Sequence, residues 1–122
     1  MTFQQIVLAL GAFAFAGFGI ALLIAPDKLS AVDVMAETPN ARAEVRAMYG
    51  GGEIGMAIFL LCCVAIREWQ FMGLLFQFLV VGGIALGRIL AIVLERMRVR
   101  RLIYAFAAME GFAAVVTFLA MR

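Results

Sequence analysis

The stretch RAMYGGGEIGMAIFLL, residues 46–61, joins two unlike halves. Its second half is apolar enough for a helix in lipid. Its first half holds an arginine, a tyrosine, three successive glycines and, at Glu53, an acid that a membrane span would have to bury. Reading the segment as a spanning helix decides the fold, and the rest of the chain supports that reading. Of the 122 residues, 66% are hydrophobic and 15% charged, and a soluble core of this length could not hide so much apolar surface. Lipid must therefore solvate much of the chain.

Three further apolar runs have spanning length. Ile6 to Ala25 carries no charge, Phe71 to Leu94 carries only Arg88, and Leu102 to Met121 carries only Glu110. The first run is too long and too poor in basic flanking residues for a signal peptide. The expectation is an all-α, integral membrane four-helix bundle in a single domain, residues 1–122. Its helices fall at about 4–25, 39–66, 70–95 and 100–121, with short loops between them. In the one long connection, residues 27–44, Leu29, Val32 and Ala36 recur at helical spacing opposite Lys28, Asp33 and Glu37, which suggests a short interfacial helix. Thr38 followed by Pro39 reads as the N-cap and first residue of the second span.

The absence of histidine excludes His-ligated haem, zinc triads and di-iron sites of the Glu-x-x-His kind. No metal or cofactor is expected. Cys62 and Cys63 are adjacent, a spacing that bridges poorly, and read as small apolar residues.

Orientation follows from the basic residues. Lys28, Arg42, Arg46, Arg96, Arg98, Arg100 and Arg101 fall on one side of the spans, against Arg67 and Arg122 on the other. The positive-inside rule then puts the first and third connections in the cytoplasm and both termini outside, or in the periplasm of a Gram-negative cell. The basic run at Arg96, Arg98, Arg100 and Arg101 suits anionic lipid headgroups. Nucleic acid is not an expected partner.

Three spans thus contain one charge each. With about 1.5 Å of rise per residue, Glu53 lies roughly 10 Å below Arg46, Arg88 roughly 10 Å from Glu95, and Glu110 roughly 13 Å from Arg101. A charge facing lipid costs at least ~2.5–3.5 kcal/mol, so such residues normally face the bundle interior and pair. The economical arrangement is a buried cluster with Arg88 between Glu53 and Glu110, its planar fork accepting both carboxylates. Arg46 and Tyr49 share a helical face with Glu53 and would complete it. Gln77 and Thr117, aligned with Arg88 and Glu110, would extend a polar stripe toward the opposite leaflet. Gly51 with Gly55, and Gly83 with Gly87, are small-xxx-small pairs that would let the helices approach.

The run EVRAMYGGGEIGMAIFLL, followed by ALGRIL and a glutamate in the last span, resembles a family of small bacterial membrane proteins known only as a domain of unknown function. The matching positions are Arg46, Tyr49, Gly50, Gly51, Gly87, Arg88 and Glu110. In overall architecture the chain is similar to DoxX-type four-helix proteins, although the thiol chemistry sometimes associated with that group has no residues here. The resemblance implies a fold, a bacterial inner membrane and no activity.

Two functions remain open at this point. The first is a structural or accessory subunit of a membrane assembly, held together by the Arg/Glu cluster and docking on other subunits or on further copies of itself. Short loops, charge balance and the Ala/Gly/Phe-rich first span favour it. The alternative is binding or transport of a small polar, anionic or lipid-like ligand in a cavity open to the cytoplasm, with Arg88 as anchor. An enzyme is the weakest reading, because no activated nucleophile or metal-ligand spacing is present.

Overall fold

A computed structural model describes the whole chain, residues 1–122. Helix α1, Phe3–Ile24, starts at a capping box in which the Thr2 hydroxyl accepts from the Gln5 amide and the Gln5 side chain accepts from the Thr2 amide. Pro26 opens a 3₁₀ segment, Pro26–Val32, that ends at Asp33 in the left-handed region, φ 62°. A 3₁₀ turn therefore stands where an interfacial helix was expected. Leu29 and Ala36 of this connection fold back on Leu22 and Val45.

Helix α2, Pro39–Ala65, begins where the Thr38–Pro39 pair indicates, with the Thr38 hydroxyl accepting from the Ala41 amide. Its stretch Arg46–Gly51 is a π turn. A 3₁₀ turn at Arg67–Trp69 leads into α3, Gln70–Leu94, and a short basic connection leads into α4, Arg101–Ala120. All four helices are long and apolar enough to cross a membrane, and no strand is present. Only 23 of the 122 residues are buried inside the chain. The interior is thus a narrow seam, and the large apolar residues outside it, such as Phe13, Leu86 and Phe112, are in the environment lipid supplies.

Helix α1 is the centre of the bundle. It packs along α2 and also touches α3 and α4, while α3 packs along α4. The core joins Val7, Leu8, Ala12 and Phe15 of α1 to Ala57, Leu60 and Cys63 of α2, with Leu74 of α3 beneath. At the open ends α1 also supplies hydrogen bonds. Gln4 donates to the Ala120 carbonyl and Gln5 to the Val64 carbonyl, each satisfying a carbonyl in a last helical turn.

The glycines that permit close approach are not the ones the spacing singled out. A Cβ on Gly73 would lie 2.6 Å from Cys63 Cβ and 2.9 Å from Leu8 Cδ2. One on Gly19 would lie 2.8 Å from the Gly50 carbonyl oxygen, and one on Gly50 would lie 3.1 Å from Leu23. By contrast Gly55, Gly83 and Gly87 have nothing within 4 Å of that position, and Gly51 meets only the Arg46 carbonyl oxygen at 3.8 Å. Those two small-xxx-small pairs face outward. Spacing fixes that two glycines share a face, but only the crossing fixes which face is covered.

Candidate functional site: a cleft above a membrane ion pair

Arg88 on α3 and Glu110 on α4 meet. Arg88 Nε donates to Glu110 Oε2 at 2.8 Å, with the two side chains 31% and 16% exposed. The guanidinium also lies over the Phe106 ring, 5.2 Å from its centroid. Phe106 stands one turn before Glu110, so α4 presents an acid and an aromatic face to the same cation. Phe106 in turn packs edge-on against Phe18 of α1, ring centroids 6.1 Å apart.

Glu53 is not part of this pair, and the expected three-residue bridge does not form. No cation lies within ion-pairing distance of it. The reason is the central position of α1. Gly19 abuts Cβ of Glu53 on one side, while its neighbour Phe18 contacts Phe106 on the other. Helices α2 and α4 consequently scarcely meet. Equal depth in the bilayer did not bring Glu53 into the ion pair.

Arg46 and Tyr49 are also outside the cluster. Arg46 Nε donates to the Leu23 carbonyl at 2.9 Å, capping the end of α1 rather than reaching down toward Glu53. Tyr49 is exposed on the π turn and makes no hydrogen bond through its hydroxyl. The π turn explains both placements, since its wider ring shifts residues 46–51 around the axis from their α-helical positions.

Gln77 and Thr117 do come together, and both are buried. Gln77 Nε2 donates to Thr117 Oγ1 at 2.9 Å, and Thr117 donates to the Ala113 carbonyl one turn back. Gln77 Oε1 has no donor and lies against Gly11, where an added Cβ would be 2.1 Å away. This contact ties α3 to α4 and α1 as interhelical glue.

Above Arg88 the bundle opens into a cleft of about 350 Å3. Asp33, Arg88, Glu95, Arg98, Arg100 and Ile103 line it. Arg100 Nη2 pairs with Asp33 Oδ1 at 2.6 Å, linking the first and third connections across the mouth. Arg96 and Met97 adjoin it at φ 51° and 64°. Non-glycine residues in that region cost about 1–3 kcal/mol each, and such strain clusters at functional sites. The Tyr104 hydroxyl, donating to the Met97 carbonyl at 3.1 Å, braces the turn. The roles of Asp33, Glu95 and Phe106 were missed in the sequence. Only Phe106 left a signal there, its spacing of four from Glu110.

An apolar bundle of four spanning helices, crossed inside the bilayer by a single ion pair, defines a small polytopic membrane protein. No group of His, Cys, Asp and Glu residues is arranged to hold a metal ion. The chain belongs to the family described as Domain of unknown function (DUF4345), whose model matches residues 3–121. No curated protein and no solved structure matches it.

Proposed function

We propose that this protein binds a small anionic ligand in the cleft above Arg88. The observation that carries the reading is how Arg88 is used. Its hydrogen bond to Glu110 is made by Nε, and neither Nη makes one, although the side chain is partly open to the cleft. A guanidinium presents five donors in a rigid fork, and those left over suit the paired oxygens of a carboxylate or phosphate. An ionisable residue within a span is a functional signal by default, and a cleft that reaches it is where a ligand would go.

Charge narrows the ligand class. Arg88, Arg98 and Arg100 face Asp33 and Glu95, and Glu110 sits on Arg88, so three cations meet three acids and the site carries no net charge. Such a site disfavours a multiply charged anion, whose extra charges would go unmatched. By the positive-inside rule the cleft opens to the cytoplasm and both termini lie outside a bacterial inner membrane, with Arg96 and Arg101 near anionic headgroups. The accessory-subunit reading keeps no observation of its own, because lipid alone accounts for the exposed apolar faces.

The test is equilibrium binding of radiolabelled octanoate to the protein in phosphatidylcholine nanodiscs. Saturable binding is expected, weakened at least about tenfold in Arg88→Gln and severalfold in the more exposed Arg98→Gln. The reading fails if the wild type shows no saturable binding, or if both variants bind as it does. A partner protein retained through purification in mild detergent, together with no binding, would favour the accessory role.

A further inference from the structure

A second cavity adjoins the first. It is a largely apolar groove of about 330 Å3 between α1, the first connection and α4, lined by Gly17, Phe18, Leu22, Leu102 and Phe106 among others, with Lys28 its one charged residue. Val32 lines both the groove and the charged cleft. Phe106 lines the groove on one side and carries the Arg88 guanidinium on the other. Charge and hydrophobicity therefore change over within the width of one aromatic ring. Phe106 lies five residues into α4 and Phe18 six from the end of α1, so the groove occupies the same leaflet as Arg88, within about 10 Å of the connections.

We infer that the ligand is a single-chain fatty-acid-type carboxylate, its head on Arg88 and its chain in the groove beside Phe18 and Phe106. The inference rests on the proposed anion site and adds what the rest of the ligand must be. Three arguments support it. The Arg88 Nη donors left free of Glu110 suit the paired oxygens of one carboxylate. The groove lies near the lower end of ligand-site volumes, about 300–1,000 Å3, which suits one chain better than two. Its shared wall at Val32 and Phe106 brings a chain that enters sideways from the bilayer up against Arg88. Because lipid is as apolar as the groove, the chain gains by packing against Phe18, Leu102 and Phe106 rather than by leaving water. Specificity, not tight affinity, is the expected signature.

Gly17 provides a clean probe, because it lines the groove and an added Cβ there meets nothing within 4 Å. Gly17→Leu should fill the groove without disturbing the core. The experiment is photolabelling in phosphatidylcholine nanodiscs with palmitate bearing a mid-chain diazirine, followed by peptide mapping. Adducts are expected to concentrate in residues 17–22 and 102–106, and excess unlabelled palmitate should compete them away. They should fall at least about fivefold in Arg88→Gln and in Gly17→Leu. Adducts spread evenly over the lipid-facing surfaces of all four helices, or labelling unchanged in Gly17→Leu, would overturn the fatty-acid assignment while octanoate binding leaves the anion site standing. Competition by lysophosphatidylcholine as strong as by palmitate would overturn the carboxylate assignment. Loss of octanoate binding in the wild type would remove both.

Discussion

Arg88 and Glu110 each solve the other's problem. Either alone would be a charge in a span without a counter-ion, and together they form one charge-assisted hydrogen bond backed by an aromatic face. Glu110→Gln should therefore lower stability by about 1–3 kcal/mol, less than the roughly 3–5 kcal/mol for a fully buried pair because Arg88 is partly exposed. Arg88→Gln should cost as much. The double variant should recover about 1 kcal/mol relative to the sum, since neither charge is then left alone. Reversible unfolding in mixed detergent micelles measures all three. Glu53 gives the opposite expectation. It has no cation to lose, so Glu53→Gln should leave the stability unchanged or raise it by up to ~0.5 kcal/mol, and a loss of more than about 1 kcal/mol would show an ionic role after all. Depth along each helix was legible in the sequence, and it identified Arg88 and Glu110. Azimuth around the bundle was not, and Glu53 was assigned a place in an ion pair that forms without it.

At the scale of the helices, their existence and ends followed from apolar length and from local signals such as Thr38–Pro39, because lipid requires every spanning backbone group to be paired within its own helix. The contacts between helices did not follow. A small-xxx-small pattern marks a face that could be covered, and Gly83 and Gly87 show that it need not be. The π turn at Arg46–Gly51 left no pattern either, and it comes together with the seating of Gly50 on Leu23 and the Arg46 cap on the end of α1. A matched pair of substitutions separates the two kinds of glycine. Gly73→Ala must displace Cys63 and Leu8 and should cost about 1–3 kcal/mol. Gly87→Ala meets open space and should stabilise α3 by up to ~1 kcal/mol through helix propensity. Equal effects of the two in the same unfolding assay would mean that the crossing at Gly73 is looser than its contacts imply.

For the whole molecule, orientation decides what the cleft can reach. The Arg100–Asp33 pair joins the first and third connections at one end of the bundle, and Thr2 and Glu68 lie at the other. The four positions must therefore divide two and two between the faces of the membrane, however the protein inserts. The direction comes from charge alone, seven Lys and Arg residues around the first and third connections against two at the opposite end. Cysteine accessibility tests each step separately. In a background carrying Cys62→Ala and Cys63→Ala, Ser30→Cys and Val99→Cys should react with an impermeant maleimide only in inside-out vesicles. Thr2→Cys and Glu68→Cys should react in intact spheroplasts. Reaction of Ser30→Cys and Val99→Cys from opposite faces would break the bundle itself, because the ion pair across the mouth could not form. All four reacting together, with the faces exchanged, would keep the fold and turn the cleft outward. Arg88 would then be reached from outside the cell, and a ligand arriving from the cytoplasmic leaflet would have no route to it.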